Sequence, residues 1–235
     1  SSKTACERVE SLFCKSFSAC KLIPIYPWRR ALSLLEGEQL ERFSALNQAG
    51  TGAVLDEMQA NGWLGREFLE WLLEQGLEGD GFSVRAPGHT GPGTTFSAWV
   101  DDKITLVGGS DAGLQKVVVS GVQDRYLEAR SALVAGKSIE RARINLEMGE
   151  LVWNGILDAD EFSLQSFRCP PVSRDRDAGD RQLEQEGLFL ERMYLLENGL
   201  QLFDSLLVQY ISCRLDTTWN QWQEQYRTWL HGEQA

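Results

Sequence analysis

The sequence predicts an α+β fold, with antiparallel sheets and hairpins packed by helices and a helical C-terminal segment. Three observations predict it. Apolar residues recur at spacings of three and four toward both ends of the 235-residue chain, period-two alternation fills the middle, and clusters of glycine and proline separate the elements. The expected organisation is a mainly helical segment over 1–76, a β-rich subdomain with one helix over 77–181, and a C-terminal helical segment over 182–235.

Val9, Leu12, Phe13 and Phe17 fall at helical spacing and predict a helix over about 4–17. Leu22-Ile-Pro-Ile-Tyr-Pro27 must then be extended, because each proline restricts itself and the residue before it. Leu40, Phe43 and Leu46 predict a short helix before Gly50-Thr51-Gly52, and a weaker helical pattern ends near Asn61-Gly62. Between Gly65 and Gly76 a wide apolar stripe of Phe68, Leu69, Trp71, Leu72 and Leu73 leaves Arg66, Glu67, Glu70 and Glu74 on the polar remainder. The stretch from Leu77 to Thr95, rich in glycine with Pro87 and Pro92, reads as a loop without the spacing of a phosphate cradle.

Phe96 to Val100, Asp101-Asp102 and Lys103 to Val107 read as strand, tight turn and strand, and Lys116 to Ser120 is a further β-rich run. A helix is expected over about 124–135, ending at Gly136, the residue that best tolerates a left-handed cap. Ala142, Ile144 and Leu146 alternate with Arg141, Arg143 and Asn145, and Met148-Gly149 turns the chain into Glu150 to Leu157, a hairpin with one wet face. Phe162 to Phe167 adds a strand before Cys169-Pro-Pro171, and the mixed charges of 173–181 read as a linker. From Leu183 to Leu215 the chain is helical, with Asn198-Gly199 expected as a joint between two helices. Asp216 is expected to cap a last helix whose Trp219, Trp222, Tyr226 and Trp229 form an aromatic stripe suited to a core or a protein interface.

Lys and Arg number 23 against 34 Asp and Glu, a formal charge of −11, so the whole molecule repels a polyanion unless its cations share one face. That charge is unevenly spread. Lys3, Arg8, Lys15, Lys21, Arg29 and Arg30 against Glu7 and Glu10 make the first 35 residues basic, while Lys137, Arg141 and Arg143 form a second small cluster. Arg141 and Arg143 share one strand face because side chains alternate. Cys6, Cys14, Cys20, Cys169 and Cys213 are odd in number and irregular in spacing, which fits neither a disulfide framework nor a zinc knuckle and favours a reducing compartment. No apolar run reaches membrane-spanning length, and no secretory signal opens the sequence. The chain starts without Met on a helical pattern and is expected to be a fragment lacking an N-terminal part.

Catalytic chemistry has little to build on. The histidines, His89 and His231, lie in the glycine-rich loop and near the C-terminus, and no cysteine has a local signature of a nucleophile. Asp101-Asp102 and Asp158-Ala-Asp-Glu161 have the residue types for Mg²⁺, but such runs more often serve turns and strand ends. No enzyme, metal or cofactor is expected.

Gly65-Arg-Glu-Phe-Leu-Glu-Trp-Leu72, the hairpin running from Ala135-Gly-Lys137 through Ala142-Arg-Ile-Asn-Leu146, and Gly187-Leu-Phe-Leu-Glu-Arg-Met-Tyr-Leu-Leu-Glu197 resemble the bacterial recombination-associated RdgC family, over the later portion of a family chain. The opening helix and Leu22-Ile-Pro-Ile25 are similar to the helix and strand that follow that family's N-terminal half. The resemblance implies a cofactor-free protein of the bacterial cytoplasm and nucleoid. It implies binding to double-stranded DNA without sequence preference, pairing into a ring-shaped homodimer, and a link to recombination through RecA. Lys15, Lys21, Lys137, Arg141 and Arg143 are the candidate phosphate contacts, since nonspecific binding rests on cations aimed at the backbone. Gly108-Gly-Ser-Asp111, with only Lys116 nearby, departs from the basic fingertip that better-known members carry after the position of Trp99.

The alternative keeps the fold without DNA: an acidic protein-interaction module that docks through its aromatic C-terminal helix. Phe68, Trp71 and Leu72 are expected to anchor the core, and Leu188, Phe189, Met193, Tyr194 and Leu195 to pack the C-terminal helices against the sheet.

Overall fold

The structure is a computed structural model describing residues 41–42, 57–76, 81–86, 94–110, 113–121, 125–172 and 181–232. The extended segment over 22–27 and the helix over 4–17 lie outside the described residues, as does all but Glu41-Arg42 of the helix over 38–46. Among the described residues, Glu41-Arg42 are helical and the elements that follow are, in order, α1 (Glu57–Gln75), β1 (Phe82–Arg85), β2 (Thr95–Ser110), β3 (Gly113–Ser120), α2 (Arg125–Val134), β4 (Ser138–Met148), β5 (Leu151–Asp158), β6 (Ser163–Arg168), α3 (Arg181–Leu215) and α4 (Thr218–His231). The fold is α+β, with one antiparallel six-stranded sheet.

The sheet runs β1-β2-β4-β5-β6. β3 pairs with the second half of β2, along the same edge that β1 takes over the first half. Period two decides which face is wet. Ala142, Ile144 and Leu146 of β4 are at most 2% exposed and sit opposite Ile104, Val100 and Ala98 of β2. The β4–β5 hairpin pairs Met148 with Leu151 across Gly149-Glu150, and Gly149 takes φ 63°, which suits a two-residue turn with glycine first.

Helices cover the inner face and close one continuous core. Phe68, Trp71 and Leu72 of α1 are almost fully buried, as expected, with Leu202, Phe203, Leu206, Leu207 and Tyr210 of α3 beside them in the same cluster. Trp219, Trp222 and Tyr226 of α4 extend that cluster as a stack, with successive ring centroids 4.2 and 5.3 Å apart. The aromatic stripe is therefore core. It is not a free docking surface, because Tyr210 meets Trp219 edge-on at 6.2 Å and ties α4 to α3.

Several sequence expectations are corrected. α1 runs unbroken through Asn61-Gly62. β1 lies inside the stretch read as a loop, where Val84 faces the core and Ser83 and Arg85 face water. Asp101-Asp102 is no hairpin tip: β2 is continuous, and its register with β4 slips between Val100 and Ile104, so the pair sits in a bulge. The cap residue of α4 is Thr217, which makes no side-chain cap bond, while the Asp216 carboxylate accepts from the Thr217 N–H at 2.6 Å.

Asn198-Gly199 does not divide the C-terminal helices either, since α3 continues for 35 residues. Gly199 is there because of a close approach. A Cβ at this position would lie 2.7 Å from Trp153 Nε1 and 2.8 Å from Phe167 Cζ, and the Trp153 indole donates to the Leu195 carbonyl at 2.7 Å. Gly199→Ala is expected to lower unfolding free energy by about 1–3 kcal/mol despite alanine's better helix propensity, because rigid rings must move. Urea denaturation measures it, and a stabilised variant would show that α3 does not seat on Trp153.

Packing is also corrected for Phe189, Met193 and Tyr194, whereas Leu188 is half-buried. Leu195 is buried, but Phe189, Leu190, Met193 and Tyr194 are 38–67% exposed. Contact with the core cluster begins at Leu195, where Trp153 meets α3, and from Glu186 to Tyr194 the side chains are exposed or half-buried.

Candidate functional site

The outer face of the sheet gathers cations through strand alternation. Arg85 on β1, Lys103 on β2, Lys116 on β3, Arg141 and Arg143 on β4, and Arg168 on β6 all sit at positions opposite in phase to the core residues. The structure thus brings Arg141 and Arg143 onto one wet face as the sequence predicts, whereas Lys15 and Lys21 lie outside the described residues. Lys137, just before β4, packs against Gly108 and donates to Gln115 Oε1 at 3.2 Å.

Carboxylates engage part of this charge. Arg141 Nε donates to Asp158 Oδ2 at 2.8 Å across its own strand pair, and Lys116 Nζ of β3 reaches past β2 to Glu140 Oε2 of β4 at 2.8 Å. Arg143 lies 3.5 and 3.7 Å from Asp101 and Asp102, which the β2 bulge places beside it. Among the described residues no ion pair involves Arg85, Lys103 or Arg168. Asp101, Asp102, Asp158 and Asp160, residue types that suit Mg²⁺, are each neighbours of arginine. Asp158 also accepts the Glu161 N–H at 3.2 Å, the Asx geometry of a turn, and Asp160 pairs with Arg66. No group of three metal-binding side chains occurs among the described residues.

A second polar constellation was missed from sequence. Glu67 and Glu70, assigned to the solvated side of α1, lie under α3 and α4. Tyr210 Oη and Arg214 Nε donate to Glu67 Oε1 at 2.6 and 2.8 Å, and the Tyr226 hydroxyl bonds to Glu70. Burial drives the Glu67 carboxyl upward against the pull of Tyr210 and Arg214. Burial, reinforced by the Glu67 charge, pushes Glu70 up to about 7. The two tyrosines are raised, first by burial and then by the carboxylates. Arg66, Glu67, Glu70, Trp222, Tyr226 and Arg227 help line a cleft of about 340 Å³ at this seam. The Arg214 guanidinium also covers Trp219 at 4.6 Å from the ring centre, so charge and packing fix the α3–α4 corner together.

Tyr210 and Arg214 are one helical turn apart, and their shared acceptor lies 143 and 147 residues away. No local pattern announces such a pair. The acidic seam holds helices together, whereas the outer sheet face presents its cations to solvent. Comparison with family models, curated proteins and solved structures returns no match.

Proposed function

We propose that the chain is a non-enzymatic protein that binds DNA without sequence preference through the outer face of its sheet. The observation that carries this is the gathering of Arg85, Lys103, Lys116, Arg141, Arg143 and Arg168 on a solvent-facing surface of a chain whose total charge is −11. The RdgC resemblance supports it, and among the described residues the segments bearing that resemblance belong to one packed unit. Gly65 abuts the Ala159 carbonyl so closely that a side chain would collide, and the Gly187–Glu197 segment reaches the β4–β5 hairpin where Leu195 accepts from Trp153. A recombination-linked role in the bacterial nucleoid and a RecA connection belong to the same proposal.

The test is retention of a labelled duplex at increasing salt. Affinity should fall steeply with ionic strength, since binding by phosphate contacts releases counterions. Arg168→Ala should weaken binding to all sequences alike and lower the salt slope by about one. Absence of retention at low ionic strength would reject the proposal. Arg141→Ala is a poor probe because Asp158, only 4% exposed, would lose its cation, whereas Lys137→Ala and Arg143→Ala leave no such buried charge.

The exposed stretch of α3 from Phe189 to Tyr194 favours a second reading, a protein-interaction module. Phe189, Leu190, Met193 and Tyr194 offer an apolar surface on a helix, and pairing with a second copy would cover it. Light scattering across a concentration series should show a dimer that Leu190→Asp dissociates. A monomer at all concentrations would reject the dimer.

A further inference from the structure

Near the middle of the outer face, strand pairing builds a rung with a composition of its own. Trp99 on β2 is directly opposite Asn145 on β4, Asn145 is opposite Asn154 on β5, and Asn154 is opposite Arg168 on β6. All four positions are out of phase with the buried residues and at least partly accessible. In the direction of Ile144 and Ala142, the next rung on this face holds Arg143, Ile156 and Gln165.

Trp99 is held in place from beneath. Gly81, at φ 78°, lies so near the indole that a Cβ there would come within 3.1 Å of Trp99 Cε3. The ring rests against backbone where a side chain would displace it. An aromatic ring on a core-facing position would need no explanation, but this one is on the polar side of the sheet, with two carboxamides and Arg168 in line, Arg143 on one neighbouring rung and Ser97, Glu147 and Val152 on the other. A duplex offers phosphates to such a surface and keeps its base faces stacked away from the ring. A single strand offers both.

We propose that the Trp99–Asn145–Asn154–Arg168 rung is a site for single-stranded DNA, with one base stacked on Trp99, the carboxamides meeting base edges, and Arg168 and Arg143 meeting phosphates. This rests on the DNA-binding reading above and assigns it a strand preference and a position. Electrostatics alone would make every cation on the face equivalent and Trp99 irrelevant. Stacking makes the single strand depend on Trp99 and leaves the duplex indifferent to it.

The experiment uses fluorescence anisotropy with a labelled oligothymidylate and a labelled duplex of equal length, at low salt, for wild type, Trp99→Ala and Trp99→Phe. Trp99→Ala is expected to weaken single-strand binding about tenfold or more and duplex binding less than about twofold, with Trp99→Phe between wild type and Ala. Circular dichroism melts of all three proteins check that the sheet is intact, and the phenylalanine variant carries the test if alanine unfolds. Equal single-strand affinity in wild type and either folded variant would overturn the site while leaving duplex binding standing. Failure of the wild type to bind either nucleic acid would overturn the site and the DNA reading together.

Discussion

Trp71→Ala is expected to lower the unfolding free energy by about 3–5 kcal/mol, the range for removing a large buried aromatic from a core. Trp71 is 1% exposed, and its ring joins three elements: centroids lie 6.0 Å from Phe68 on its own helix, 5.2 Å from Phe82 on β1 and 5.5 Å from Tyr210 on α3. Truncation removes the transfer free energy of the indole and leaves a cavity among Phe68 of α1, Phe82 of β1 and Tyr210 of α3. Tyr194→Ala is the matched control. Its side chain is 62% exposed, so the same truncation of an aromatic on a helix should change stability by less than about 0.5 kcal/mol. Urea denaturation of both variants measures the contrast. A Tyr194 effect as large as that of Trp71, growing with protein concentration, would place this helix face inside an assembly.

Most of the fold was legible because periodicity reports burial. The β4–β5 hairpin is the clearest case: period two over Ala142 to Leu146 and again over Trp153 to Leu157 separated the core residues from the wet ones, and Gly149 marked the turn. Composition misled where glycine had a different job. Asn198-Gly199 looks like punctuation, yet the glycine lies under Trp153 and Phe167, and nothing within α3 encodes those rings. β1 was hidden because four residues between glycines are too short for an alternation to stand out, and pairing with β2 supplies what the sequence lacks. Asp101-Asp102 has turn chemistry, but the hydrophobic phase resumes at Ile104, and a bulge satisfies both.

The candidate sites were legible to a smaller degree for the same reason. Arg141 and Arg143 followed from strand alternation, a local rule. Arg168 and Trp99 needed the sheet order before they could be seen to share a rung. Glu67 and Glu70 show the limit from the other side: at helical spacing they fall on the polar remainder of α1, but the core wraps past that edge when α3 and α4 dock. Whether a polar stripe meets water depends on how many helices pack around it.

That wrapping makes stability depend on pH in a particular direction. Glu70, held near 7 by burial and by Glu67, has a folded-state value above the roughly 4.5 of the unfolded chain. The folded state therefore binds the proton more tightly, so the contribution is fully present below about 4.5, declines as pH rises, and is lost above about 7. The interval corresponds to about 3 kcal/mol at most, and about 1–3 kcal/mol once partial access to water is allowed. Glu67 shifts in the same direction, but Tyr210 and Arg214 hold its charged form, so Glu70 dominates the slope. Tyr226 faces Glu70 from α4, and Arg66 from α1 offsets part of the penalty. Glu70→Gln keeps a hydrogen-bonding group for Tyr226 and removes the charge. It should match wild type near pH 5, exceed it by about 1–3 kcal/mol near pH 8, and flatten the profile between. Glu67→Gln should instead destabilise at both pH values, because Arg214, with a side chain only 15% exposed, would keep its charge without its carboxylate. Chemical denaturation at several pH values distinguishes these outcomes. A wild-type stability that rises from pH 5 to 8, with Glu70→Gln below it throughout, would show that the Glu70 carboxylate is a stabilising partner in this seam.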